Sequence, residues 1–242
     1  MKERIKLLLY LWTLGIFGGV IFYILRASRR VKIKGYKKSK FDPKGKGLLL
    51  ICNHPSPAEP AFLPFLFFPW FLFSLRFTPY SLPERQHYDK RFFLPLRKLC
   101  IPIDRNNGRQ GLKTFEKMEE MLQSGRVLIL HPEKERNSEE GDNDSRFSNS
   151  GKKMKMFRPG IRKLFLRTNC VALPIWIDGG RGMLPNKEDL DNLPPWSRFQ
   201  LPRLWRRVII KIGEPLDLAD LPQNGLVDYL ETVLLELADR KM

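Results

Sequence analysis

The chain has 242 residues, 43% of them hydrophobic, with 43 Lys and Arg against 26 Asp and Glu, a formal charge of +17 at pH 7. That apolar share excludes a disordered chain, and the length suits one domain of ordinary core size with an appendage. The three cysteines, Cys52, Cys100 and Cys170, show no zinc-like or CxxC spacing. Each lies in an apolar run and reads as a buried thiol of a reducing compartment.

From the N-terminus, Leu7 to Leu25 reads LLLYLWTLGIFGGVIFYIL, with no charged side chain. A helix of that stretch would be about 28 Å long at ~1.5 Å per residue, close to the ~30 Å hydrocarbon core of a bilayer. Tyr10, Trp12 and Tyr23 lie towards its ends, as interfacial aromatics do. The stretch is followed by RASRR rather than by a small-residue cleavage site, which argues against a removed signal peptide.

Residues 26–46, RASRRVKIKGYKKSKFDPKGK, hold ten Lys or Arg against the single Asp42. A basic flank on the C-terminal side of a membrane helix places the body of the chain on the cytoplasmic face. Beside such a helix it attracts anionic phospholipid headgroups, at about 1 kcal/mol per residue near the surface. A stop-transfer signal that only sets topology is the plainer reading of the same residues. Nucleic-acid binding is disfavoured, because the block is tethered to a membrane helix and lacks interleaved stacking aromatics. The expected organisation is therefore a membrane anchor with a basic juxtamembrane block over 1–40, and a folded domain over 41–242.

Within that domain, GLLLIC (47–52), CIPI (100–103), RVLILH (126–131), VALPIWI (171–177) and RVIIKIG (207–213) read as strands, mostly of the continuous apolar kind buried on both faces. Leu112, Phe115, Met118 and Leu122 recur at helical spacing, and Gly125 stops that helix. Leu226, Leu230, Val233, Leu234 and Leu237 predict a C-terminal amphipathic helix. Alternating strands and helices imply an α/β sheet with covered faces. Two stretches break the rhythm. AFLPFLFFPWFLFSL (61–75) is intensely apolar, but short for a span and interrupted by Pro64 and Pro69, so it suits an interfacial or buried segment. NSEEGDNDSRFSNSGKK (137–153) is expected as a mobile polar loop.

In α/β folds the site usually lies at the carboxyl ends of the strands. There the sequence places NHPSPAE after the first strand, Asp104 and Arg105 after the second, HPEKER (131–136) after the third and PIWI within the fourth. Around the His54 imidazole the set brings the carboxylates Glu59 and Glu133 and the cations Arg105, Lys134 and Arg136. It suits acyl transfer to a hydroxyl. A neutral imidazole can take the alcohol's proton as the alcohol attacks a thioester, and a carboxylate on its far nitrogen fixes the tautomer. Arginines would hold an acceptor phosphate.

These four motifs resemble, in order and rough spacing, those of the lysophospholipid acyltransferase superfamily, the PlsC-like glycerolipid acyltransferases. The first family motif, NHxSxxD, appears as Asn53, His54, Ser56 and Glu59; the second ends in Asp104 and Arg105. The third, FPEGTRS, keeps Pro132, Glu133 and Arg136, with Phe157 and Gly160 after it, and the fourth keeps Pro174. The likeness covers about residues 45–215. Glu59 replaces the usual aspartate, as in related lipid A secondary acyltransferases, while Lys134 and Glu135 replace glycine and threonine.

The resemblance implies a mixed, mostly parallel sheet covered by helices, with residues 41–242 as the acyltransferase domain and an N-terminal membrane helix. It implies transfer of a fatty acyl group from acyl-CoA or acyl carrier protein to a lysophospholipid, with 1-acylglycerol 3-phosphate as the expected acceptor in phospholipid biosynthesis. His54 would be the general base and Glu59 its orienting partner; Arg105, Glu133 and Arg136 would shape the acceptor pocket. No metal or bound cofactor is implied, the thioester being a co-substrate. The alternatives are an aminoacyl lipid or lipid A precursor as acceptor, or a homologue that has lost catalysis and only binds membrane or lysolipid. A thioesterase built on Cys52 and His54 is disfavoured because buried cysteine is the default. Ser56 is expected to brace the turn, His131 to pack and His87 to lie at the surface. Structural ion pairs are the plainer reading of Arg105 and Arg136.

Overall fold

In the computed structural model, the structure describes residues 2–37, 41, 43, 45–56, 62–89, 97–104, 108–133, 144–158, 160–184, 203–221 and 223–241. The frame is a mixed, mostly parallel sheet. Its strands are β1 (Val31–Lys34), β2 (Gly47–Cys52), β3 (Pro79–Tyr80), β4 (Val127–Leu130), β7 (Cys170–Asp178) and β8 (Val208–Ile212), in the order β1–β8–β7–β2–β4–β3. β2 lies at the centre, parallel to β4 and β7, while β8 and the short β9 (Leu216–Asp217) run antiparallel to β7.

Side chains alternate across the pleat and separate two cores. Leu48, Leu50 and Cys52 of β2 face one side; Leu49 and Ile51 face the other. All six residues of β2 are buried, so a continuous apolar run is what the position demands. Each large aliphatic side chain there contributes about 1.5–3 kcal/mol by leaving water.

The second face is covered by α4 (Gly108–Gln123), α5 (Ile161–Arg167) and α7 (Leu226–Asp239); the one-turn helices α3 (Arg85–Tyr88) and α6 (Gly180–Met183) precede α4 and follow β7 in the chain. Met118, Met121 and Leu122 of α4 and Leu226, Leu230, Leu234 and Leu237 of α7 are buried at helical spacing. Leu112, expected on the apolar face of α4, is 66% exposed. Gly125 takes the left-handed conformation, φ 74°, that ends α4 and turns the chain into β4.

The first face is covered by α1 (Lys2–Ala27) and by the aromatic stretch after β2. Pro64 opens a 3-10 turn at Leu63–Phe67, and Pro69 stands before the short α2 (Trp70–Phe73), which a second 3-10 turn follows at Leu75–Phe77. Gly15, Gly18 and Gly19 of α1 leave room for the rings of Phe71, Phe65 and Phe68, and the Trp12 indole N–H donates to the Leu72 carbonyl at 2.8 Å. Helix α1 is long and apolar enough to cross a membrane. Leu11, Phe22 and Leu25 pack inward, whereas Leu9, Ile16, Phe17, Val20 and Ile24 are exposed.

Part of the basic block forms a sheet edge: Val31–Lys34 pairs with β8, with Val31 buried and Lys32 exposed. Two expectations change. CIPI is not a strand: Cys100 and Ile103 make only isolated parallel bridges to Ser81 and Glu84, and Pro102 lacks a ladder donor. The described part of the polar stretch is ordered. It contains β5 (Ser145–Phe147), which pairs antiparallel with β6 (Lys153–Lys155).

Candidate functional site

The carboxyl ends of β2 and β4 lie side by side, so the turn after Cys52 meets the turn after Leu130. Asn53 is 1% exposed and continues the sheet with its side chain. Its carboxamide N–H donates to the Ile177 carbonyl at 3.1 Å, and its oxygen accepts the Ile177 N–H at 2.7 Å. A buried amide that exchanges two hydrogen bonds in this way replaces the strand pairing that the chain leaves there.

His54 follows, half-buried. Its backbone N–H donates to Oε1 of Glu133 at 2.7 Å, and Oε2 of the same carboxylate accepts the Lys155 N–H at 3.1 Å. Glu133 is only 3% exposed and forms a bridge with Phe157. Two backbone donors offset much of the cost of burying that charge. The residue expected to shape the acceptor pocket thus ties the histidine turn to β6.

The ring of His131 stacks on that of His54, with centroids 4.5 Å apart and planes inclined by 27°. Nδ1 of His131 lies 3.3 Å from the Asn53 carbonyl oxygen. An oxygen there can only accept, so the contact requires the proton on Nδ1. Packing was the expected role of His131, but its partner being the histidine of the first motif was not legible; its position directly before Pro132 and Glu133 was the available signal. Ser56 is fully buried in the same turn, which suits bracing rather than nucleophilic attack.

Glu59, Arg105, Lys134 and Arg136 lie outside the described residues, as does the side chain of His87. Asp104 is partly exposed at the end of the segment bridged to Glu84. Cys52 is 0% exposed on the α1 face of the sheet. Burial pushes the Cys100 thiol up to about 12 and the Cys170 thiol up to about 11, so neither presents a thiolate near neutrality. Among the described residues no group of three or more His, Cys, Asp or Glu is arranged to hold a metal ion.

Behind this turn a second layer holds β6. Glu231 of α7, 1% exposed, accepts the Phe157 N–H and pairs at 2.8 Å with the Arg146 guanidinium of β5. Desolvation holds its carboxyl above the ordinary glutamate value, against the lowering effects of the Phe157 N–H and Arg146.

Comparison with known proteins gives three results. A family model described as Acyltransferase matches residues 30–178. No curated protein sequence matches. The chain is similar in fold to the crystal structure of PlsC from Thermotoga maritima, described as a 1-acyl-sn-glycerophosphate (LPA) acyltransferase. The TM-score is 0.63 at 19% identity, over 100% of this chain and 86% of that one.

Proposed function

The chain belongs to the acyltransferase family, and from that premise we propose that it moves a fatty acyl group from acyl-CoA or acyl carrier protein to the hydroxyl of a lysophospholipid, 1-acylglycerol 3-phosphate above all. The observation that carries this reading is the His54 turn. It stands at the carboxyl edge of the central strands, inside the family's matched residues, with its backbone held by the buried Glu133. His54 takes the acceptor's hydroxyl proton as the oxygen attacks the thioester carbonyl, and the protonated imidazole then gives that proton to the leaving thiolate. Glu59 orients the imidazole and stabilises its cation. Arg105 and Arg136 bind the polar end of the acceptor.

The reading extends to the membrane. The exposed apolar face of α1, with Phe17 at 71%, and Phe73 of α2 at 77% offer hydrocarbon contact on the side of the sheet away from α4, α5 and α7. The basic residues that follow α1 would meet anionic headgroups, with the domain on the cytoplasmic side.

The test is purified full-length protein with labelled acyl-CoA or acyl carrier protein and a panel of lysolipids that includes aminoacyl lipids and lipid A precursors. Acylation of 1-acylglycerol 3-phosphate in preference to the others supports the proposal. Preference for another member of the panel reassigns the acceptor, and binding without product from any pair would leave a lipid-binding homologue.

A further inference from the structure

Helix α7 turns an apolar face inward, with Leu226, Leu230, Leu234 and Leu237 buried, yet the buried side also carries an acid. Glu231 is 1% exposed. Burying a carboxylate among aliphatic side chains is costly unless it is paired and hydrogen-bonded. Apolar residues of similar volume often replace a buried ion pair with no loss of stability. The packing of α7 therefore gives no reason for Glu231, but its contacts do. Oε1 accepts the Phe157 N–H, and Oε2 lies 2.8 Å from Nε of Arg146.

Both partners belong to the hairpin and its continuation. Arg146 of β5 stands opposite Met154 of β6, and Phe157 follows β6 by two residues. The stretch from Lys155 to Arg158 is bound on its other side to Pro132 and Glu133. Phe157 forms an antiparallel bridge with Glu133, and the Arg158 N–H donates to the Pro132 carbonyl at 3.1 Å. The Glu133 carboxylate accepts the Lys155 N–H at 3.1 Å and the His54 N–H at 2.7 Å. Residues 155–158 thus lie between two buried carboxylates, Glu133 towards the histidine turn and Glu231 towards α7. A buried N–H requires an acceptor. The reach of the Glu231 side chain therefore fixes where Phe157 sits and, through Glu133, where the His54 backbone sits.

We propose that Glu231 is a positioning residue for His54. The oxygen it offers the Phe157 N–H holds the segment to which Glu133 is tied, and so sets the place of the imidazole at the carboxyl edge of β2. The inference rests on the acyl-transfer reading for the reaction whose rate it governs; the link from α7 to the histidine turn is a matter of geometry alone.

The experiment uses the full-length protein in detergent micelles, with Glu231→Gln, Glu231→Asp and Glu231→Leu. Asp239→Ala serves as the comparison, because Asp239 accepts the Ser148 hydroxyl at 2.6 Å and so fastens the turn of the hairpin rather than Phe157. Turnover is measured well below every melting temperature, so that unfolded protein does not enter the rate. Hydrogen exchange is followed in the peptide that carries the His54 N–H. The Gln variant keeps an oxygen at the same reach and loses the charge, whereas the Asp variant keeps the charge and falls one methylene short. Accordingly kcat ranks wild type, Gln, Asp, Leu, with Glu231→Gln within about threefold of wild type and Glu231→Leu about tenfold below it. KM for both substrates stays within about twofold, as expected when placement of the base and not substrate binding is disturbed. Exchange in the His54 peptide accelerates about tenfold in Glu231→Leu. Asp239→Ala lowers the melting temperature but leaves kcat and His54 exchange at wild-type values. An order with Asp above Gln makes Glu231 an ion-pair partner of Arg146 and overturns the proposal. Unchanged kcat or unchanged His54 exchange in Glu231→Leu overturns it too, as do equal effects in Asp239→Ala. Should Glu231→Leu fail to fold, the order of the Gln and Asp variants decides. If His54 exchange responds as stated but wild type acylates no acceptor, the positioning link stands and the acyl-transfer reading falls.

Discussion

The carboxylate of Glu133 joins His54 to the hairpin: Oε1 accepts the His54 N–H at 2.7 Å while Oε2 accepts the Lys155 N–H at 3.1 Å. Two segments whose sequence positions differ by about a hundred residues are thereby fixed to one buried side chain. The geometry of the imidazole depends on this brace as much as on its own loop.

Removing the brace should cost more than removing an ordinary surface ion pair. Glu133→Ala leaves the buried Lys155 N–H without this acceptor, at about 1–3 kcal/mol, and the part-buried His54 N–H as well, at a smaller cost. Glu133→Gln leaves one amide oxygen for two donors and should cost about half as much. Thermal denaturation of the two variants beside wild type checks the ranking; equal melting temperatures for all three would remove Glu133 from its bracing role.

His54→Ala should reduce turnover by roughly 10²–10⁴-fold, the usual range for a positioned general base. Glu59→Gln should cost a comparable factor, since a neutral amide cannot stabilise imidazolium. Glu59→Asp, shorter by one methylene, should keep part of the activity. Full activity in Glu59→Gln with none in His54→Ala would mean that another carboxylate serves the histidine.

Glu231 gives a pH dependence of defined sign. In the unfolded chain it ionises near the ordinary value of 4.5; in the folded protein burial holds the proton to higher pH. Across that window the folded state binds more protons, so stability falls as pH rises above about 4.5. Glu231→Gln has no such proton to lose. The melting temperature of the variant minus that of wild type should therefore increase from pH 4 to pH 8, and a difference that stays level or shrinks contradicts the assignment.

The thiols should be inert in the native state. With Cys100 pushed up to about 12, Cys170 up to about 11 and Cys52 at 0% exposure, iodoacetamide at pH 8 should label none of them within an hour and all three in denaturant. Cys52→Ala should keep acyl-transfer activity; its loss with the fold intact would reopen a thiol mechanism.

Membrane binding should have an electrostatic part. Replacing the partly or fully exposed Lys32, Lys34 and Lys37 with Gln in the full-length protein should weaken flotation with anionic vesicles at low salt. It should leave binding to neutral vesicles unchanged, since α1 contributes the apolar share. In wild type the preference for anionic vesicles should fade as salt shortens the screening length. A preference that ignores both salt and the three lysines would restrict the basic block to setting topology.

What the sequence determined by itself is whatever depends on one stretch of chain. Leu48 to Cys52 must be a buried strand because no polar residue interrupts the run, and Met118 and Leu122 or Leu230, Leu234 and Leu237 must share a helix face because their spacing is helical. The order of the short motifs placed His54 and Glu133 at strand ends, and the fold brings those ends together. What only the tertiary structure decided depends on a partner far along the chain. VKIK becomes an edge strand because β8 is there to receive it. The polar residues 145–155 become a hairpin because Asp228, Glu231 and Asp239 of α7 hold it. Glu133 became a brace and His131 a stacking partner for the same reason. A periodic pattern records which face of an element meets the core, but it carries no record of which distant group will satisfy a buried charge or a ring.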